Sequence, residues 1–198
     1  MRGCKALAFW MALFLVAGCS TLPHKVDLLY KPTASIKGGK GTIYIAAGRH
    51  ECNSGGVPVR WVVGSIQDGN GNAVDEIVSS IAPYDLVSDA FKRELESAGY
   101  TVVLSDDISK ENGAGIRLGN AKVSVTEVPS YFSVDSKAEV SASLELWLSG
   151  AKVKQEEFNS GYSESYPRTE DRLQHVLQKS LEGLTTKAIP DIVRSLKR

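Results

Sequence analysis

The chain is poor in the residues that most often carry chemistry. Its 198 residues include three cysteines, three histidines and two methionines. No CxxC or HxxxH pair occurs, so a metal centre built on a local ligand motif is excluded. Charge of either sign is not in excess, with 23 Lys+Arg against 23 Asp+Glu. Without a basic surplus or a long Lys/Arg run, nucleic acid is not an expected partner. A membrane-spanning run is missing as well. The uninterrupted apolar stretch Ala6 to Ala17 is twelve residues long, whereas a helix needs ~20 to cross a bilayer.

That short run has a different use. Arg2 and Lys5 precede it and small residues follow, the order of a secretory signal. It ends in "VAGCS", Val16 to Ser20, which resembles the lipobox of bacterial lipoproteins. The resemblance implies cleavage before Cys19, acylation of its sulfur and amine, and, with Ser20 in place of aspartate, sorting to the outer membrane facing the periplasm. Several acyl chains at ~0.8 kcal/mol per buried methylene anchor a protein durably. Cys4 then leaves with the signal and Cys19 is acylated. Cys52 stays as a lone thiol, and no disulfide framework is possible.

Three segments follow: a signal peptide over 1–18, a lipidated N-terminus and flexible tether over 19–40, and a periplasmic domain over 41–198. The tether is rich in Pro, Ser, Thr, Gly and Lys. Within it "VDLLY", Val26 to Tyr30, reads either as an edge strand or as a segment near the lipid surface. In the domain, Gly41–Ala47, Val59–Ile66 and Ala73–Ser80 have β-branched strand character. Leu86, Val87, Ala90, Phe91, Leu95 and Ala98 recur at helical spacing, with Pro83 near the start and Gly99 as the stop. Lys92, Arg93, Glu94 and Glu96 are assigned to the solvent side of that helix. "YTVVLSD" then returns as a strand. Ser133–Leu148 alternates strictly, predicting a long strand buried on one face and wet on the other. Before it the alternation slips at Gly119-Asn120, which predicts a bulge. The more polar stretch after it belongs near an edge. A final helix starts at Thr169 as N-cap, with Glu170 and Asp171 in its first turn. Leu173, Val176, Leu177, Leu181, Leu184 and Ala188 form its stripe; Pro190 is expected to kink or restart the helix, and Ile192, Val193 and Leu196 continue the apolar face. The expected fold is α+β: an antiparallel β-meander with two amphipathic helices on one face.

Candidate chemistry is sparse. "IQDGNGNAVDE" places Asp68, Asn70 and Asn72 at alternate positions, as a calcium loop begins. Ala73 stands where position 6 needs glycine and Ser79 where position 12 needs glutamate. Two valine-rich runs joined by Asp-Gly and Asn-Gly predict a hairpin tip instead, exposed enough to touch a partner. His50 and Cys52 in "RHECNSGG" are the one candidate for thiol or metal catalysis. Against them stand a polar loop and no further ligands, since His24 falls in the tether and His175 faces away from its helix stripe. "GGKGT" and "GAGIRLG" miss the phosphate-loop and dinucleotide spacings.

In "VAGCS", the helix ending in "AGY" and the long alternating strand before a final helix, the chain resembles the YajG-like outer-membrane lipoproteins. That resemblance implies Cys19 as the lipid-attachment residue and no catalytic residue, metal or cofactor. Three functions are compatible with the sequence. One is a non-enzymatic envelope lipoprotein, held to the membrane by its lipid and binding an envelope protein. The second is an auxiliary lipoprotein of an ABC-type lipid or solute transport system. The third is an enzyme centred on His50 and Cys52.

Overall fold

The computed structural model describes residues 24–33, 37–46, 59–168 and 172–196. In chain order its elements begin with β1 (His24–Lys25), β2 (Thr42–Ala46), β3 (Trp61–Gln67), β4 (Ala73–Ser79), helix α1 (Pro83–Ala98) and β5 (Thr101–Ser105). A 3-10 turn at Ile108–Lys110 leads to β6 (Ala114–Leu118), β7 (Lys122–Pro129), β8 (Ser133–Leu148), β9 (Ala151–Pro167) and helix α2 (Leu173–Leu196).

The strands form one open mixed sheet covered on one face by both helices. β8 and β9 pair antiparallel along their full length. On its other edge β8 carries β6 and β7 end to end, both antiparallel. Between them three residues, Gly119 to Ala121, face two on β8, which is the bulge expected at Gly119-Asn120. Its consequence is parity. Ile116 and Leu118 lie on the core face before it, and Val125 on the same face after it, although the numbering changes from even to odd. Ser143 stabilises the bulge, its carbonyl accepting from the Gly119 N–H at 2.7 Å and its hydroxyl from the Asn120 N–H at 3.1 Å.

Beyond this spine the sheet forks. β2 and then β5 lie outside β6, while β3, β4 and β1 lie outside β7. Four of these pairings, β1 with β4, β2 with β5, β2 with β6 and β3 with β7, are parallel, so the sheet is more than a meander. The β3–β7 contact is close. A side chain at Gly64 would put its Cβ 1.8 Å from the carbonyl oxygen of Val125.

Both helices bury the expected stripes. Phe91 and Leu95 of α1, and Leu181 and Leu184 of α2, are fully buried in one continuous core. At ~1.5–3 kcal/mol per large apolar side chain, these stripes are the main attachment of helix to sheet. α1 ends as expected, with Gly99 at φ 105° and the N–H groups of Gly99 and Tyr100 bonding the Glu96 and Leu95 carbonyls. α2 continues through Pro190. It opens at Leu173, with the Val176 N–H bonded to the Arg172 carbonyl. The cap expected at Thr169, with Glu170 and Asp171, lies outside the described residues.

Two expectations are corrected. The domain begins before Gly41, because residues 24–33 are built into it. Val26, Leu28 and Tyr30 are buried at 1%, 9% and 1% exposure, while Leu29 between them is 67% exposed. Asp27 fixes this segment to the end of β4. Partial burial works against its charge, but bonds from Lys25 and from the hydroxyl and N–H of Ser80 outweigh that and bring its carboxyl down to about 2. The second correction is Glu94, which is buried at 4% exposure instead of facing water. It lies three residues after Phe91 and four before Ala98, so helical spacing places it on the stripe whatever its charge. Its carboxyl group accepts from the Tyr30 hydroxyl at 2.6 Å, and from the N–H and hydroxyl of Thr33 at 2.8 and 3.0 Å. The Tyr30 oxygen is also 3.1 Å from the Thr185 hydroxyl of α2. Lys31 exchanges two backbone bonds with the Gln178 side chain. Residues 26–33 therefore form a strap across both helices.

Tyr30→Phe removes a donor from a buried carboxyl group and is expected to cost about 1–3 kcal/mol. Leu29→Ala, on the wet side of the same strap, should stay within about 0.5 kcal/mol. Urea unfolding of the two variants beside the parent checks both. Gly64→Ala should destabilise by about 1–3 kcal/mol through the clash with Val125, read in the same titration.

Candidate functional site

One end of the sheet gathers the features that no core requirement explains. β3 and β7 are neighbours running in the same direction, with Ile66 opposite Glu127, so the turns after them leave the sheet side by side. The first is the β3–β4 tip. The Asp68 N–H bonds the Asn72 carbonyl at 2.9 Å, and the Gly71 N–H bonds the Asp68 carbonyl at 3.0 Å with Gly71 at φ 84°. The Asp68 carboxylate turns inward, accepting from the Asn70 and Asn72 N–H groups at 2.9 Å each and from the Asn72 side chain. Those bonds, the Asn72 side chain first, hold the Asp68 carboxyl below its ordinary range. The hairpin reading of this stretch is borne out.

The second turn joins β7 to β8 and presents Tyr131 and Phe132. Their rings meet edge to face with centroids 4.6 Å apart, and they are 83% and 81% exposed. The turn is held by its own serines. The Ser130 N–H bonds the Ser133 carbonyl at 2.7 Å, and the Ser130 hydroxyl bonds the same carbonyl at 3.0 Å and the Ser133 hydroxyl at 2.8 Å. From the other side the Arg168 N–H, just past β9, bonds the Phe132 carbonyl at 3.3 Å. The sequence does carry a signal for this feature: an aromatic pair between two serines where strands reverse. The pair completes no catalytic or metal-ligand motif with its neighbours in sequence, so a reading for such motifs misses it.

Beneath the aromatic turn lies a polar knot on the helix-facing side of the sheet. Glu127, Ser136 and Tyr166 are all buried, and the Glu127 carboxyl group accepts from the Ser136 hydroxyl at 2.7 Å and from Tyr166. The Ser136 and Tyr166 oxygens are 2.8 Å apart. Burial, then the Glu127 bond, pushes the Tyr166 hydroxyl up to about 12. Beside it Glu164 faces Arg172 at 3.3 Å and His175 at 3.4 Å, and the His175 ring stands edge-on to Tyr162. Ser136 is 1% exposed, and the knot braces this end of the sheet.

Of the residues singled out in the sequence, Cys19, His50 and Cys52 lie outside the described residues. His24 is an exposed residue of β1, and His175 is on α2. Among the described residues no three His, Cys, Asp or Glu side chains converge as a metal site, and no helix is long and apolar enough to cross a membrane. Among the described residues, the open face of β7, β8 and β9 carries shallow depressions. One of about 360 Å³ is lined by Thr126, Asp135, Lys137, Ser163 and Ser165 among others.

No protein-family model matches the sequence, and no curated protein matches it. Among solved structures, the chain is similar to a minor lipoprotein of Acinetobacter baumannii, at 12% identity and TM-score 0.41 over 67% of this chain and 90% of that one. A Xanthomonas campestris protein of the DUF330 family is similar at 11% identity and TM-score 0.42 over 88% and 94%. Rare lipoprotein B of Shewanella oneidensis is similar at 12% identity and TM-score 0.33 over 68% and 92%. Likenesses this distant leave function to be argued from the chain itself.

The Tyr166 hydroxyl titrates higher in the fold than the ~10 of an unfolded tyrosine. Its contribution to stability is therefore full below pH ~10 and lost as pH rises through about 12. Tyr166→Phe should flatten that part of the alkaline limb, read by denaturant midpoints between about pH 9 and 12. An unchanged alkaline limb would remove Tyr166 as its source.

Proposed function

We propose that the chain is an outer-membrane lipoprotein whose domain faces the periplasm and works by binding, without catalysis, as part of the cell envelope. One observation carries this reading. The ordered run of positive head, twelve-residue apolar stretch and "VAGCS" makes Cys19 the attachment point for lipid. The fold is compatible with such an anchor. β1 begins at His24, five residues after Cys19, so lipid on that cysteine would hold the domain itself close to the bilayer.

The non-enzymatic part is supported by the use made of buried polar groups. Glu94 is taken up by Tyr30 and Thr33, and Glu127 by Ser136 and Tyr166. Each serves to join elements of the fold. The likeness to YajG-like lipoproteins belongs to this proposal and rests on the motifs quoted for it.

Cys19→Ala is expected to leave the protein either soluble in the periplasm or uncleaved in the inner membrane, and Ser20→Asp to retain it at the inner membrane. Fractionation on a density gradient checks both, and a Cys19→Ala chain that still sediments with the outer membrane would overturn the anchor. Cross-linking in cells with mass spectrometry then identifies the partner. A complex reaching both membranes would favour a transport auxiliary protein over a free-standing envelope component.

A further inference from the structure

The aromatic turn and the direction of the N-terminus together point to a second membrane contact. We propose that the end of the domain bearing Tyr131 and Phe132 is a lipid-docking surface, with the two rings entering the interfacial layer of the bilayer that holds the anchor. This rests on the Cys19 anchor proposed above.

The geometry follows from strand register. β1 runs parallel to β4 with His24 opposite Ile77 and Lys25 opposite Val78. The N-terminal side of His24 therefore points toward the start of β4, at Ala73, which is the end where both turns emerge. Five residue steps separate Cys19 from His24, and at most ~3.6 Å each they reach no more than ~18 Å. From the level of Ile77 to that of Ala73 is about 13 Å along the strand, so the hairpin end is within reach. The opposite end is not. The level of Gly64 and Val125 is that of Ala138 on β8, and the ten further residues to Leu148 span about 33 Å. A chain anchored through Cys19 can therefore bring its hairpin end to the membrane, and not the far end of β8.

That end has the right chemistry. Tyr131 and Phe132 expose almost their whole rings on a turn that its serines already hold, so their docking freezes little backbone. Tyrosine and its aromatic relatives favour the headgroup layer, where an apolar ring and a polar edge are both satisfied. Val74, at the foot of the adjacent hairpin, is 62% exposed and adds apolar surface. Arg168 is exposed beside the turn and suits lipid phosphates, while Asp68 at the same end has its carboxylate occupied by the N–H groups of its own turn. Two rings alone bind a bilayer weakly. Once the anchor has brought them there, docking is intramolecular and sets orientation.

The test uses full-length lipidated protein on vesicles of phosphatidylethanolamine and phosphatidylglycerol, with and without brominated acyl chains. Phe132→Trp should lose emission in the brominated vesicles beyond the loss shown by the parent, whose mature chain contains Trp61 and Trp147. Val153→Trp, exposed on β9 toward the far end of the sheet, should show no added loss. Tyr131→Ser combined with Phe132→Ser should still float with the vesicles and lose the protection of Arg168 from trypsin. A Phe132→Trp protein that floats while its introduced indole stays unquenched overturns the docking surface and leaves the anchor intact. A turn found buried between two copies of the chain overturns the docking surface in the same way. Protein that does not float overturns both.

Discussion

Everything in this domain is arranged around the period of β8. From Asp135 to Ala142 its side chains alternate between the wet face and the core, and the even-numbered residues stay buried as far as Leu146, so a strand beside it must keep the same phase. β6 and β7 manage this only because one extra residue is inserted at Gly119–Ala121, which resets the parity of the chain. Without that insertion Val125 would turn to solvent and Thr126 to the core. The β3–β4 hairpin, registered on β7, would lose its footing on the spine as well. The bulge is thus the point at which a long two-faced sheet becomes compatible with a single buried face.

The helices complete that face, and the N-terminal strap locks them. Glu94 is the central example. A carboxyl group on an apolar stripe is costly when unpartnered, and here it is bonded by a tyrosine and a threonine from a segment more than sixty positions earlier. The Tyr30 hydroxyl also reaches α2, so one buried polar group coordinates strap, first helix and second helix. Burial and the Glu94 bond both raise the Tyr30 hydroxyl well above the usual tyrosine range, which keeps it protonated as the donor.

What is legible in the sequence is local. The stripes of α1 and α2, the alternation of β8, the slip at Gly119-Asn120 and the turn at Asp68–Asn72 all follow from spacing within a few residues, and all are present. The strap is harder to read because its period-two pattern covers only Val26 to Tyr30, flanked by Pro23 on one side and Pro32 on the other. Glu94 is misassigned whenever residue type is weighed above position on the helix. The parallel pairings join segments far apart in the chain, as with Ile45 and Ile116, and no local pattern encodes them. Cys19 is proposed from its motif alone and lies outside the described residues. Tyr131 and Phe132 escape notice because exposed aromatics have no catalytic signature.

The parallel pairing of β1 with β4 has a mechanical consequence. With the Cys19 anchor proposed above, any pull between membrane and domain would pass through residues 24–33. Since β1 lies along the strand axis and leads toward the hairpin end, force from that side pulls it lengthwise past β4. Its backbone bonds, the Asp27 clamp and the Tyr30 hydroxyl are then loaded together, in shear, instead of opening one after another like a zip. The same few residues that close the core also make the point of attachment a fastening that resists tension.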